Sequence, residues 1–280
     1  MATNDEQTAF WGGVGGGAWV DLQEQMDGQL LPLGEAAMAA ANVQVGERVL
    51  DVGCGCGATT LALAGLVGPT GAVVGCDFSG PMLARATQRG TEAGLTNASF
   101  ALADVQTAML PGPFDVVFSR FGVMFFADPI AAFANIRSAT KPGGRLSFVC
   151  WQPVRLNDSF AFVGLAANDI LGPPDPVPDD APGPFAFADP DRVRAILGQA
   201  GWTDVNVAEC RREIQVFGTS DLETGLAGAM RIGGLGRRLA GRSDETIDSV
   251  RDAVRKALVE RWTPTGWLCD AVCWVATATN

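Results

Sequence analysis

The sequence predicts an α/β protein, a doubly wound and mostly parallel sheet that carries helical caps. Three observations carry this reading. From Glu47 to Trp151 short apolar runs alternate with helix-forming stretches, the rhythm of repeated strand–helix units. The first run, Val49-Leu50-Asp51-Val52, breaks into Gly53-x-Gly55-x-Gly57 and leads directly into Ala58-Thr59-Thr60-Leu61, so a strand turns through glycines into a helix. With 48% hydrophobic and 18% charged residues in 280, the chain can bury one large domain, or a core domain with a cap.

Positions 1–45 read as an N-terminal helical cap. Phe10-Trp11 precedes Gly12-Gly13-Val14-Gly15-Gly16-Gly17, a run too flexible to hold itself rigid. Trp19, Leu22 and Met26 recur at helical spacing and predict a short amphipathic helix, with a second over Gly34 to Ala41. The segment is either a loose terminus with a packing helix, or a lid in which Trp11 or Trp19 closes over a ligand.

Positions 46–152 form the core. Strands are expected at Arg48–Val52, Ala72–Cys76, Ala98–Leu102, Phe114–Ser119 and Arg145–Trp151. The helix after the glycines ends near Gly68-Pro69. Ser79 caps the next, with Pro81 in its first turn, and that helix runs to Gly94. Asp128-Pro129 opens a third, which stops before a turn at Lys141-Pro142-Gly143-Gly144.

Positions 153–188 differ. Gly172 to Pro184 is dense in Pro and Asp, which forbids regular structure and predicts an excursion over the carboxyl edge of the sheet, or a disordered loop. Positions 189–280 complete the core with a helix capped by Asp189-Pro190, a strand over Trp202–Phe217 and a last strand over Gly266–Thr277. Between those strands a helical insertion spans 219–263. Ser220-x-x-Glu223 has the form of a capping box, with Leu222, Leu226 and Met230 inward. Arg231 to Gly241 is rich in glycine and arginine, and Ser243 opens a helix with Ile247, Val250, Val254 and Leu258 on one stripe.

Composition excludes several functions. A net charge of −11 argues against a broad nucleic-acid surface. No apolar run is long enough to span a membrane, and the polar start is not a secretory signal. The seven cysteines show no disulfide framework and read as core residues of a reduced, cytoplasmic protein, monomer or homodimer. The chain has no His and no Tyr. Histidine general bases and histidine zinc sites are therefore excluded, and no metal is expected, Cys54 and Cys56 included.

In a doubly wound sheet the ligand lies at the carboxyl ends of the strands. Asp77 ends the second strand, where a carboxylate can accept from both hydroxyls of a ribose. Asp104 follows the third, where it can accept from an exocyclic amine such as that of adenine. Each acid alone could cap a turn; together they describe a nucleoside. A dinucleotide pyrophosphate calls for Gly-x-Gly-x-x-Gly, whereas here the spacing is tighter and an acid, Asp51, precedes it. That suits an ammonium or sulfonium group better.

The ordered series Val49–Gly57, Asp77, Asp104, Phe114–Ser119 and Lys141–Leu146 resembles the motifs of class I S-adenosylmethionine-dependent methyltransferases, and more narrowly the ubiquinone/menaquinone-biosynthesis-like group that acts on small molecules. The resemblance covers about Arg48 to Trp151 and implies a Rossmann-like, seven-stranded sheet with an antiparallel last strand. It implies that Gly53, Cys54, Gly55 and Gly57 line the methionine and ribose part of S-adenosylmethionine, and that Asp51 supports the loop or the methionine amine. It further implies that Asp77 holds the ribose and Asp104 the adenine amine, with Val105, Phe78 and Met82 beside the ring. Ser119 would meet the methionine end through its backbone. Cys56 stands where that family more often has Thr or Ser.

Methyl transfer from a sulfonium is an in-line displacement, so alignment and exclusion of water do most of the work. No catalytic residue is singled out; a base, if one is needed, would come from acids such as Asp21, Glu24, Asp128 or Asp158. The acceptor pocket is expected between the fourth and fifth strands and the caps, walled by Arg120, Phe121, Met124, Trp151 and Phe160, for a hydrophobic small molecule. Arg120 would either orient an anionic or carbonyl group or pair with a cap acid. The alternatives are a protein that binds S-adenosylmethionine without methylating and, less well matched, a nicotinamide-dependent oxidoreductase.

Overall fold

A computed structural model describes residues 4–178 and 180–280; the first three positions of the N-terminal cap and position 179 of the Pro-rich excursion lie outside the described residues. Seven strands, β1 (Arg48–Val52), β2 (Ala72–Asp77), β3 (Ala98–Leu102), β4 (Phe114–Arg120), β5 (Thr140–Trp151), β6 (Thr203–Gln215) and β7 (Leu268–Thr279), form one sheet in the order β3-β2-β1-β4-β5-β7-β6. β1 pairs parallel with both β2 and β4, which makes its carboxyl end the switch point of the sheet. β7 runs antiparallel to β5 and β6, as expected.

Val49 to Val52 are all buried, so helices cover both faces of the sheet. α3 (Gln23–Ala41) packs on β4 to β7 and on α4 (Ala58–Val67), while α5 (Gly80–Glu92) lies on β3. α6 (Pro129–Ser138) and α9 (Pro190–Gln199) pack on each other and on β5 and β6. Phe133, Phe148 and Phe187 meet at ring-centroid distances of 5.6 to 6.2 Å and are fully buried. Phe187 belongs to the Pro-rich excursion, which carries α7 (Asp158–Ala166) and α8 (Asn168–Leu171) and returns to anchor in the core. Its irregular part, 172–178, is as expected.

A second hydrophobic cluster is separate. It joins Val163 of α7 to Leu226, Leu235, Val250, Val254 and Leu258 of α10 (Leu222–Arg231), α11 (Gly233–Leu239) and α12 (Asp244–Val259).

Four local expectations are corrected. The glycine run is helical: α1 (Asp5–Gly12) is followed by α2 (Val14–Asp21). α2 lies so close to its neighbours that a Cβ on Gly16 would stand 2.0 Å from Trp11 O and 2.6 Å from Ser79 Oγ. The expected pair of short helices is divided differently: Trp19 lies in α2, while Met26 and Gly34–Ala41 share the single α3, continuous through Pro32 because burial of Met26, Leu30, Leu33 and Ala37 outweighs a proline cost of about 3 kcal/mol. The Lys141–Gly144 turn is a bulge inside β5, pinned by Asn280, whose Nδ2 donates to Thr140 O and Lys141 O. The cap of α10 is Asp221, not Ser220, since its carboxylate accepts from Thr224 N at 2.8 Å.

These contacts set a paired test. Gly16→Ala should destabilise by about 1–3 kcal/mol through overpacking, more than the ~1 kcal/mol that alanine gains in a helix. Gly17→Ala, with nothing within 4 Å, should stabilise slightly. Thermal unfolding of the two variants measures both signs; a stabilised Gly16→Ala would refute the close seating of α2.

Candidate functional site

Three glycines shape a ledge at the end of β1. Gly53, Gly55 and Gly57 have φ of 67°, 55° and 84°, values that L side chains disfavour. A Cβ on Gly53 would stand 2.6 Å from Gly122 Cα, so two backbones meet here. Ser119, at the end of β4, holds them together: its Oγ donates to Val52 O at 2.7 Å and accepts from Gly122 N at 3.2 Å.

Asp77 fastens the ledge to α5. Its Oδ2 accepts from Gly55 N at 2.9 Å and its Oδ1 from Ser79 N at 2.8 Å. Burial raises its pKa, and the backbone donors of Ser79, Gly55 and Phe78 oppose that rise. Asp51 lies behind the ledge, fully buried. Its Oδ2 accepts from Thr59 Oγ1 and Thr60 Oγ1 at 2.7 Å each, while its Oδ1 has no partner. Burial pushes its carboxyl up to about 6, against the two hydroxyls and the charge of Arg120.

A cavity of about 460 Å³ opens in front of the ledge, lying along the seam between the two hydrophobic clusters. Gly53, Cys54, Asp77, Phe78, Met82 and Val105 line it from the strand ends. Trp11, Trp19 and Phe160 line it from the caps; Arg120, Phe121, Met124 and Trp151 line it from the ends of β4 and β5. Phe121 has φ 61° and stacks on Trp151 at 4.5 Å, a strained residue held by its packing. Trp11 makes edge contacts with Trp19 and Phe125, and its indole N–H is buried without an acceptor.

Five residues nominated from the sequence do not line the cavity. Asp51 is spent on the loop threonines. Gly55 points its N–H at Asp77. Gly57 packs toward Ala86 and Phe100. Ser119 pins the ledge through its side chain. Asp104 is engaged by Asn4, whose Nδ2 donates to both carboxylate oxygens at 2.9 and 3.0 Å. Arg120 takes the cap-acid alternative: its Nη2 binds Asp27 Oδ1 at 3.2 Å, and Asp27 also holds Arg89 at 2.9 Å.

Sequence reasoning missed Phe10, Gln29, Phe125, Phe217 and Arg237, which also line the cavity. Phe10, Gln29 and Arg237 come from caps whose placement no local pattern encodes, although the arginine-rich stretch 231–241 was visible; Phe125 and Phe217 lie just past the ends of β4 and β6. Among the described lining residues Asp77 is the one acid. Cys54 and Cys76, the lining thiols, are both pushed up by burial, Cys54 well above its ordinary pKa and Cys76 to about 12, and stay protonated.

A methyltransferase-domain family model matches residues 49–144. Aklanonic acid methyltransferase DauC of Streptomyces sp. (strain C5) is 35% identical over 133 residues, 47% of this chain and 60% of that protein. Ubiquinone/menaquinone biosynthesis C-methyltransferase UbiE of Burkholderia cenocepacia is 36% identical over 123 residues, 42% of this chain and 50% of that protein. The chain thus spans half to three fifths of the length of these curated relatives. A solved structure described as "Conversion of a Disulfide Bond into a Thioacetal Group during Echinomycin Biosynthesis" superposes with a TM-score of 0.56 at 22% identity, over 89% of this chain and 80% of that one, a likeness of fold.

The raised pKa of Asp51 has a sign that stability measurements can read. A folded pKa of about 6 against an ordinary 3.8 means that its contribution is in place below about pH 4 and is lost as the pH rises through 6. The loss is about 3 kcal/mol at 1.36 kcal/mol per unit. In urea unfolding, Asp51→Asn should gain on the wild type by that amount between pH 4 and 7; a pH-independent difference would contradict it.

Proposed function

We propose that this chain, which carries a class I S-adenosylmethionine-dependent methyltransferase domain, methylates a small and largely apolar acceptor in the cavity before the glycine ledge. The observation that carries the reading is the ledge with Asp77 beside it: a cradle that side chains would fill, next to a half-buried carboxylate with lone pairs to spare. These residues fit the cofactor. Asp77 would take the ribose hydroxyls on the lone pairs that Gly55 N and Ser79 N leave free. Phe78, Met82 and Val105 would flank the adenine, and the unpartnered Oδ1 of Asp51 would favour a cationic neighbour across the ledge. When bound, S-adenosylmethionine supplies a methyl group already activated on a positively charged sulfur.

What the protein adds is placement. The candidate bases are engaged elsewhere or outside the cavity: Asp21 pairs with Arg231, Asp128 caps α6, Asp158 lies 4.0 Å from Arg261, and Glu24 is not among the lining residues. With Cys54 and Cys76 protonated and Asp77 assigned to the ribose, no described lining residue is poised to remove a proton. The acceptor then reacts through an atom that is already nucleophilic, an ionised oxygen, an amine or an electron-rich carbon. Transfer in line depends on proximity and on the exclusion of water by the aromatic wall of Phe121, Trp151 and Phe160. That wall supports a hydrophobic, flat acceptor, and the names of the Streptomyces and Burkholderia relatives support a small-molecule one.

The Asn4 contact adds a condition. Its amide stands on the carboxylate of Asp104 in the manner of an adenine amine, so the start of α1 would yield before the adenine docks.

Calorimetry with S-adenosylhomocysteine tests the reading. Asp77→Asn should lose about a hundredfold in affinity, two charge-assisted hydrogen bonds at ~1.4 kcal/mol each; unchanged affinity would remove the main support. Asn4→Ala, which frees Asp104, should bind several times more tightly; weaker binding would show that Asn4 assists the cofactor instead.

A further inference from the structure

We propose that the cavity ends in an anion-binding mouth, formed by Arg237, Arg238 and Arg242, that selects acceptors whose apolar body carries an anionic oxygen group, a carboxylate or a phosphate ester. The inference deepens the proposed methyl transfer and rests on the cavity being the acceptor site. Its first support is charge. In a chain of net charge −11, positions 231–242 hold four arginines and no acid.

The second support is pairing. Arg89, Arg120, Arg145 and Arg231 each hold a carboxylate within 4 Å. Arg238 instead donates to neutral oxygens, Asn168 Oδ1 and Gly172 O, and Arg242 to Arg238 O. Arg237 lays its guanidinium over the Phe10 ring, 3.9 Å from the centroid, and among the described residues has no carboxylate partner. Partial desolvation lowers its pKa without an opposing acid.

The third support is position. A second recess of about 530 Å³ adjoins the first, and Arg237, Arg238 and Pro174 line both. Arg242 lines the outer recess, where Asp175 is the one acid among the described lining residues. A molecule whose rings lie against Phe121 and Trp151 can therefore extend toward three uncompensated guanidinium groups. Guanidinium forks bind carboxylate and phosphate alike, in bidentate fashion.

The test uses the full chain saturated with S-adenosylhomocysteine and titrated with 2-naphthoate, 2-naphthyl phosphate and methyl 2-naphthoate. Either anion, or both, should bind about tenfold more tightly than the ester, the size of one charge-assisted hydrogen bond. The anion that gains identifies the group, and the advantage should shrink from about 50 to 500 mM salt. Arg237→Met should cut the preference to about twofold, with S-adenosylhomocysteine affinity unchanged. The salt series on the wild type keeps the test decisive if that variant folds poorly. Equal binding of anions and ester, or binding of neither, overturns the mouth while leaving the methyl-donor reading intact. A loss of S-adenosylhomocysteine affinity in Arg237→Met would place the arginine on the cofactor and overturn it too. Failure of the wild type to bind S-adenosylhomocysteine overturns both readings.

Discussion

The two backbone N–H groups that converge on Asp77 hold the site in shape. Gly55 N comes from the ledge and Ser79 N from the start of α5, so one carboxylate at the end of β2 fixes both against each other. A half-buried carboxylate is tolerable there because N–H donors replace part of its lost water. Ser79 extends the chain of dependence: its Oγ donates to Trp11 O at 2.6 Å and so seats the N-terminal cap on the same helix. Ledge, helix and cap are thereby referred to one point at the switch of the sheet.

On the other side of the cavity a second set of constraints acts. Asp27 of α3 binds Arg89 of α5 and Arg120 of β4, and receives Gln23 Nε2 at 2.6 Å. These partly buried groups tie the long N-terminal helix across the carboxyl edge of the sheet. Arg120 is therefore neutralised, although it faces the cavity. The uncompensated charge sits further out, on the insertion.

Much of the core was legible in the sequence. β1, β3 and the helix after the glycines were readable to the residue or nearly so, since strand period, glycine punctuation and N-caps such as Ser79 and Asp128 are local signals. The acids at the strand ends were legible for the same reason. What escaped was decided at long range. The glycine run reads as flexible until α5 packs against it. Asp104 reads as free until Asn4, a hundred positions earlier, folds onto it. The N-terminal cap reads as two short helices until the burial of α3 joins most of it into one. Of the cavity wall, the pattern reached the ends of β4 and β5 and the cap residues Trp11, Trp19 and Phe160, but not Phe10, Gln29 or Arg237.

The cavity lies between two hydrophobic clusters rather than inside one. Its inner wall belongs to the sheet, whose strands are buried on both faces. Its outer wall belongs to α7, α10 and α11, which share with α12 a small core around Val250, Val254 and Leu258. Separate cores are separate cooperative units, so the outer wall can open locally at a fraction of the cost of global unfolding. The amides of α10 and α11 then exchange with solvent on a faster clock than those of β1 and β4. Local opening of the smaller unit would leave the register of the sheet undisturbed.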